Sequence, residues 1–230
     1  HVGLFAIHLN GYHDDALHVA RGFYGVVRVV EQEGDRPQLL LYHGNTQHGA
    51  QLMAPAERDM PTTYYGPRSG VALAIRHRQQ RGPLDIGVVG LGAGTLAAYG
   101  APGDRIRFWE IDPDVASVAQ EWFRYLSRSA AEVDVVLGDA RLEIARELGA
   151  EGGSRYDLLA IDAFSSDAVP THLLTEEAAA LYWRLLRPDG LLAFHVSNRF
   201  IDLEPVVVAL AERRGAVTIR FEAEGSEDEG

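Results

Sequence analysis

The sequence of 230 residues contains no cysteine, and this absence removes three kinds of chemistry. Disulfide cross-links, cysteine-ligated zinc and thiol nucleophiles are all excluded. The sequence also lacks an apolar run approaching the ~20 residues that a membrane-spanning helix needs. Positive charge is scarce, since 21 Lys and Arg residues stand against 33 Asp and Glu residues, for a formal net charge of −12. Nucleic-acid-binding surfaces are normally basic, so this composition argues against a nucleic-acid partner.

Hydrophobic residues make up 47% of the chain, which is enough to build the core of one large α/β domain. Two apolar runs, at residues 26–30 and 39–41, flank a Gly-Asp-Arg-Pro turn signal at residues 34–37. A Gly- and His-rich turn is predicted at residues 43–49. We therefore expect a small β-rich unit at residues 1–66, a larger domain at 67–222 and an acidic tail at 223–230.

From residue 68 onwards, helical and strand patterns alternate along the chain. Strands are predicted at residues 85–89, 105–111, 133–137, 156–161, 191–196 and 217–221. Helices are predicted at residues 69–80, from 95, from 113 to 125, up to 148, from 176 and at 203–213. Such alternation is typical of a mostly parallel sheet with helices on both faces. Ligands bind at the carboxyl ends of the strands in such sheets.

A glycine loop follows the first of these strands. Gly90, Gly92 and Gly94 allow a tight turn and a close backbone approach to a ligand, and a helix N-terminus can add N–H donors. The next strand ends at Glu110, whose carboxylate can accept both ribose hydroxyls. The dinucleotide pattern requires a further glycine where Thr95 stands, which argues against NAD. The loop therefore predicts a nucleoside site without a pyrophosphate.

Two other aspartates allow a structural and a functional interpretation. Asp139 follows the third strand of the alternating region, where it can accept from an adenine amino group or can cap the next helix. Asp112 stands before Pro113, a pattern typical of a helix N-cap. For Glu110 the alternative is a solvated strand end.

The fourth strand of the alternating region leads into a loop with two carboxylates, Asp162 and Asp167. Such a pair can bind a cationic amine and remove its proton, which is necessary because an alkylamine has a pKa of about 10. The alternative is a turn in which Asp167 only caps backbone groups. His195 ends the next strand, either as a base or as a structural residue.

Two further pairs of residues have less specific interpretations. Tyr64 and Tyr65 can form a pocket wall or simply pack. His43 and His48 flank the Gly-rich turn, but no third ligand accompanies them, so no metal site is predicted.

Together these segments resemble the spermidine synthase (polyamine aminopropyltransferase) family over roughly residues 22–200. The family's Gly-Gly-Gly-Asp-Gly loop matches residues 90–94, its Glu-Ile-Asp matches residues 110–112, and its Gly-Asp-Gly matches Gly138, Asp139 and Ala140. Its Asp-Ser-Ser-Asp-Pro loop resembles residues 162–170, and a nucleoside-binding Gln in a Gly-rich turn matches Gln47. The segment from Tyr64 resembles the region that closes over the substrate.

The resemblance implies a methyltransferase-like Rossmann fold preceded by a small β domain. It implies S-adenosylmethionine or its decarboxylated form as the donor, without a metal, and an amine as the acceptor. The nucleoside would bind at Gln47, the glycine loop and the residues Glu110, Asp112, Asp139 and Ala140. Asp162 would be the base and Asp167 would assist, with Tyr64, Tyr65 and His195 on the substrate side.

Three positions depart from the family pattern. Ala93 replaces the loop aspartate that holds the aminopropyl donor. Asp162 and Asp167 are separated by four residues rather than two, and His195 stands where the family often has Gln. Two alternatives to aminopropyl transfer therefore stay open. One is a methyltransferase or another enzyme that cleaves a sulfonium, and the other is a sensor that binds a nucleoside or a polyamine without catalysis.

The pattern looks most like the spermidine-synthase-like domains that bacteria fuse to polytopic membrane segments. His1 would then mark a cut just after the membrane part, and the domain would be cytoplasmic. The family generally ends with a further strand after a unit like residues 203–221, which is replaced here by the acidic tail. Related enzymes commonly form dimers, but the sequence leaves the oligomeric state open.

Overall fold

An antiparallel meander of four strands opens the described part of the chain, which in this computed structural model comprises residues 16–150, 155–163, 170–197 and 201–222. Its strands are β1 (Ala16–Gly22), β2 (Gly25–Gln32), β3 (Gln38–His43) and β4 (Thr46–Leu52), paired in sequence order. The turn between β3 and β4 is shorter than predicted, because His48 and Gly49 belong to β4.

The second sheet has five parallel strands in the order β7-β6-β5-β8-β9. These are β5 (Asp85–Val89), β6 (Arg105–Glu110), β7 (Glu132–Leu137), β8 (Tyr156–Ile161) and β9 (Leu186–Phe194). Its helices are α1 (Gly70–Gln79), α2 (Pro113–Glu121), α3 (Tyr125–Arg128), α4 (Ala140–Gly149), α5 (Glu176–Leu185) and α6 (Glu204–Arg214), and 3-10 turns span Thr63–Tyr65, Thr95–Tyr99 and Thr171–Leu173. The strand order reverses between β5 and β8, and ligand crevices of such sheets form at this reversal.

Successive side chains of the parallel strands point to opposite faces of the sheet and pack into two separate hydrophobic cores. Ile86 and Val88 of β5 point to one face, where they pack with Ile75 of α1 and Val115 of α2. Side chains of the other face pack with α4 and α5, which contribute Ile144 and Tyr182 respectively. The predicted parallel sheet with helices on both faces is therefore confirmed.

The antiparallel sheet packs on the first of these two faces. Val27, Val29 and Leu41 are fully buried and belong to the same core as β5 and α2. Two polar contacts reinforce this docking. The Tyr125 hydroxyl donates to the carbonyl oxygen of Ala50 at 2.9 Å, and the backbone N–H of Arg124 donates to Gln51 Oε1 at 3.1 Å. The small sheet is thereby fixed to the larger one.

Several predicted bounds differ from the structure. The helix predicted at residues 113–125 is interrupted after Glu121, and β9 begins at Leu186 rather than at residue 191. The strand predicted at residues 217–221 is wrong, because residues 216–222 adopt no regular structure. Val217 and Ile219 are 91% and 73% exposed, so their side chains gain no sheet packing.

Charged side chains link the amino-terminal ends of β5, β8 and β9. Asp85 accepts from Arg105 Nε at 2.6 Å and from Arg187 Nη2 at 2.7 Å. Asp157 accepts from Arg187 and from the backbone N–H of Asp85 at 2.9 Å. Burial raises the pKa of Asp85, but the hydrogen bonds from the two arginines outweigh it, so the pKa lies below its ordinary value.

We expect Asp85→Asn to lower the free energy of unfolding by about 1–2 kcal/mol at pH 7, because one charge-assisted hydrogen bond is lost and the other becomes weaker without the carboxylate charge. The pKa of Asp85 is lowered on folding, so its stabilisation is complete above the unfolded pKa of about 3.9 and disappears as the pH falls through the folded value. Urea unfolding of both proteins at pH 7 and pH 3 tests this. A difference between them that is independent of pH would contradict the assignment.

Candidate nucleoside and catalytic site

The glycine loop lies at the reversal of strand order and is enclosed on two sides. Gly90 has a φ of +95°, and a Cβ atom at this position would overlap the carbonyl oxygen of Asp162. A Cβ atom on Gly92 would lie 2.6 Å from the carbonyl oxygen of His48 in β4. The loop is therefore in contact with the end of β8 on one side and with the antiparallel sheet on the other.

Ala93, the departure from the family pattern, is buried in this same contact. It is 1% exposed, and a Cβ atom on Gly49 would lie 2.5 Å from the Cβ atom of Ala93. A carboxylate at position 93 would have to enter this space between the loop and β4. The close packing of Gly49 thus explains physically why a small apolar side chain is accommodated here.

Glu110 joins the end of β6 to the glycine loop. One carboxylate oxygen accepts from the backbone N–H of Leu91 at 3.0 Å and the other from that of Asp112 at 2.9 Å. Burial raises the pKa of Glu110 above its ordinary value, and the two N–H donors offset this only in part. Each carboxylate oxygen has a second acceptor direction, which leaves capacity for two hydroxyl donors. Ile111 follows and is 40% exposed beside this carboxylate.

Asp112 and Asp139 both occupy helix N-caps. Asp112 Oδ1 accepts from the N–H of Asp114 at 2.9 Å, and Asp139 Oδ1 accepts from that of Leu142 at 3.0 Å. Asp139 Oδ2 also lies 3.0 Å from His172 Nε2. The capping alternatives are confirmed for both residues, and nucleoside binding by them and by the buried Ala140 stays a prediction.

The carboxylate of Asp162 is the centre of a polar network beyond the glycine loop. Its Oδ1 atom lies 2.8 Å from His195 Nδ1, at the end of β9. Its Oδ2 atom accepts from the hydroxyls of Tyr65 at 2.5 Å and Tyr64 at 3.1 Å. The His195 ring stacks on Tyr64 with a centroid distance of 4.1 Å and an interplanar angle of 15°. The network therefore brings together three of the predicted substrate-side residues and Asp162.

Electrostatics keep Asp162 ionised in this arrangement. Burial raises its pKa, but the hydrogen bond and charge of His195 and the two tyrosine donors bring it below the ordinary value. Burial and the charge of Asp162 raise the pKa of Tyr64 and Tyr65 well above 10, so both remain protonated donors. At neutral pH the network thus holds a buried carboxylate anion, a group that can pair with a cation.

His48 lies close enough to Asp162 and His195 to interact with them electrostatically, and the sequence analysis did not include it among the candidate site residues. Burial lowers the pKa of His48 to about 4, against an opposing effect of Asp162, so its imidazole is neutral at physiological pH. Its Nε2 atom is buried without a hydrogen-bond partner among the described residues. His48 directly follows Gln47, which could have indicated a place near the nucleoside. The sequence pattern was interpreted only as a possible metal ligand, together with His43. Gln47 itself is partly buried in β4.

Three further points concern Asp167, metal binding and membrane-spanning helices. Asp167 lies outside the described residues, so its distance from Asp162 is not defined. In the described ranges, no group of three His, Asp or Glu side chains is arranged to hold a metal ion. Over those same ranges no helix combines the length and apolarity that crossing a membrane requires.

Similar proteins with different activities each match about half of the chain. Polyamine aminopropyltransferase of Vibrio vulnificus is 33% identical over 121 residues, which cover 51% of this chain and 38% of that protein. The eEF1A lysine and N-terminal methyltransferase of Mus musculus is 34% identical over 136 residues, covering 55% of this chain and 19% of that protein. No family profile matches the chain. The chain spans well under half the length of these curated relatives.

Solved structures agree on the architecture. Human methyltransferase-like protein 13 in complex with SAH has a TM-score of 0.51 and 26% identity, covering 61% of this chain and 68% of that one. A spermidine synthase in complex with the transition-state analogue AdoDATO has a TM-score of 0.61 at 16% identity, covering 87% and 64%. The fold is that of S-adenosylmethionine-dependent transferases.

The two structural matches differ in extent. Residues 67–222 make up about two thirds of the chain, so a match over 87% of it must also include part of the antiparallel sheet. The transferase fold here therefore comprises the methyltransferase-like Rossmann domain together with the amino-terminal β unit.

Proposed function

We propose that this protein is a transferase that moves an aminopropyl group from decarboxylated S-adenosylmethionine to an amine acceptor. The observation that carries the proposal is the buried Asp162 carboxylate, held by His195, Tyr64 and Tyr65 where β8 meets the glycine loop. A fixed anion beside a nucleoside loop suits a cationic amine acceptor. The antiparallel sheet packed on that loop supports the same choice, because the spermidine synthase match extends over it.

The donor would bind along the carboxyl ends of β5, β6 and β7. Glu110 would accept the ribose hydroxyls through the free acceptor directions of its two oxygens. Ile111 would cover one face of the adenine, and Asp139 would accept from its amino group. Gln47 would approach the nucleoside from β4, which touches the loop at Gly92.

Methyl transfer from S-adenosylmethionine is the second candidate. Ala93 favours it, because the loop lacks the carboxylate that holds an aminopropyl ammonium group in the aminopropyltransferases. The similarity to eEF1A methyltransferases over more than half of the chain supports it as well. Both candidates use the same nucleoside site, so only the donor and the product separate them.

Mass spectrometry of the nucleoside product decides between the two reactions. The protein is incubated with each donor and with a panel of diamines. Aminopropyl transfer is expected to give methylthioadenosine and an amine enlarged by one aminopropyl unit, whereas S-adenosylhomocysteine would indicate methyl transfer. Failure of both nucleosides to bind below millimolar concentration in calorimetry would contradict the nucleoside site itself.

A pair of glutamate variants checks where the nucleoside binds. Glu110→Gln is expected to raise the dissociation constant about 10-fold or more, because it replaces one acceptor oxygen by a donor. Glu121→Gln on the exposed surface of α2 serves as the matched control, since its carboxylate bonds only to Ser117 in the described contacts. Equal dissociation constants for the two variants would place the nucleoside elsewhere.

A further inference from the structure

The acceptor amine must lose a proton before it attacks, and the Asp162 network is poorly suited to take that proton on the carboxylate. Asp162 Oδ1 already accepts from His195 and Oδ2 from both tyrosines. These donors stabilise the ionised form, so protonation of the carboxylate would sacrifice at least one of these bonds. A carboxylate with three donors is an effective counter-ion and a weak base.

Two imidazoles lie near this carboxylate, and they differ in their contacts with it. Burial lowers the pKa of His48 to about 4, which makes this ring a poor proton acceptor at neutral pH. His195 instead bonds directly to the anion, which stabilises an imidazolium when one forms. A histidine has an ordinary pKa of about 6.5 and a carboxyl about 3.9, so imidazole is better matched to an amine of about 10.

The geometry of the pair fixes which ring nitrogen can act. An ionised Asp162 accepts a hydrogen bond from Nδ1–H, so the neutral ring carries its lone pair on Nε2, away from the carboxylate. Stacking on Tyr64 holds the ring plane. The ring as a whole is 21% exposed, while Nε2 is shielded from bulk solvent. Among the described residues, Asp162, Tyr64 and Tyr65 contact the ring from neighbouring elements, and His48 interacts with it electrostatically.

We propose that His195 is the catalytic base, that its Nε2 atom takes the proton from the acceptor ammonium group, and that Asp162 is a positioning residue. This inference rests on the proposed transfer to an amine. The freed nitrogen lone pair forms the new N–C bond, and the C–S bond breaks with its electron pair remaining on sulfur, which becomes a neutral thioether. The sulfonium charge thus moves to the new ammonium nitrogen, and His195 later releases one proton to solvent.

The pH dependence of turnover tests this assignment. In the parent protein, kcat at saturating substrates is expected to level off at high pH, because a base in the site removes the amine proton. In His195→Gln, only amine that has already lost its proton reacts, so kcat should fall roughly 10²–10⁴-fold near pH 7 and rise tenfold per pH unit towards pH 9. Donor affinity, measured by calorimetry, should be unchanged.

Chemical rescue separates a base from a structural residue. Added imidazole is expected to restore turnover in His195→Ala, in proportion to its neutral fraction, and melting curves report whether the variant folds. His77→Gln, on the exposed side of α1, is the matched control and should keep the parent profile.

If His195→Gln retains the parent's kcat and plateau, or imidazole rescues nothing in a folded His195→Ala, the base assignment is overturned while amine transfer stands. If the parent transfers no group to any amine, the proposed function fails and this inference with it.

Discussion

Gly90→Ala is expected to destabilise the protein by about 3–5 kcal/mol, or to prevent folding altogether, although it adds one methyl group. Two causes act together. Gly90 has a φ of +95°, where a side chain costs about 1–2 kcal/mol. Its Cβ atom would also overlap the carbonyl oxygen of Asp162, which is backbone and can move only if β5 and β8 separate. Thermal melting should show a loss of about 10 °C or more.

Gly82→Ala is the control for the backbone contribution alone. Gly82 has a φ of +134°, yet no atom lies within 4 Å of the position a Cβ would take. This variant should therefore lose only about 1–2 kcal/mol. Equal losses for both glycines would show that the contact between the loop and the end of β8 is not tight.

The parallel-sheet domain was largely predictable because its strands are short apolar runs. The strands predicted at residues 85–89 and 156–161 have the same bounds in the structure. Both are buried at the centre of the sheet, where continuous apolar runs are expected. Prediction was poorer at the edge of the sheet. β9 includes Pro188 and Gly190, which interrupt the strand pattern, and its pairing with β8 is irregular at this point.

The strand predicted at residues 217–221 shows the opposite error. Val217, Ile219 and Phe221 alternate as in a half-buried strand, but this segment does not join the sheet. Phe221 instead packs beside Gly70 at the start of α1. Alternation alone predicts a strand, whereas sheet membership depends on a partner edge that the local sequence does not specify.

The geometry around the glycine loop was predictable from the sequence, and the geometry around Asp162 was much less so. Glu110 and the glycine loop are neighbours because β5 and β6 are adjacent and consecutive, so spacing along the chain was sufficient. The tyrosines lie 97 and 98 residues before Asp162 in sequence, and they reach it only because the antiparallel sheet docks on the loop. No local pattern encodes that docking. The residues alone predict Tyr64 and Tyr65 only as a pocket wall or a packing pair, and their place on the substrate side follows from the family resemblance.

The same docking connects the glycine loop with the network around Asp162. β4 contacts the glycine loop at Gly92 and Ala93, and the chain after β4 delivers the tyrosines that hold Asp162. Asp162 in turn contacts Gly90 through its backbone oxygen. The contacts of Tyr64 and Tyr65 with Asp162 thus form only when the antiparallel sheet is in place. This explains how a methyltransferase-like domain and an added β unit can make one site together.

Asp162→Asn is expected to lower kcat by about 10³–10⁴-fold with little change in the donor's dissociation constant. An amide carries no charge to attract the amine or to stabilise the imidazolium of His195, and its N–H group favours the other tautomer of the ring. Steady-state kinetics with calorimetry measure both quantities. Tyr65→Phe, which removes one of the three donors, should cost much less.

A double-mutant cycle makes this prediction specific to a coupled pair. If Asp162 acts through His195, the double variant Asp162→Asn/His195→Gln should be hardly slower than the slower single variant, because either change already disables the unit. Independent roles would instead multiply the two rate losses. Multiplicative losses, in variants that melt as cooperatively as the parent, would mean that Asp162 contacts the acceptor itself and that the pair does not act as one base.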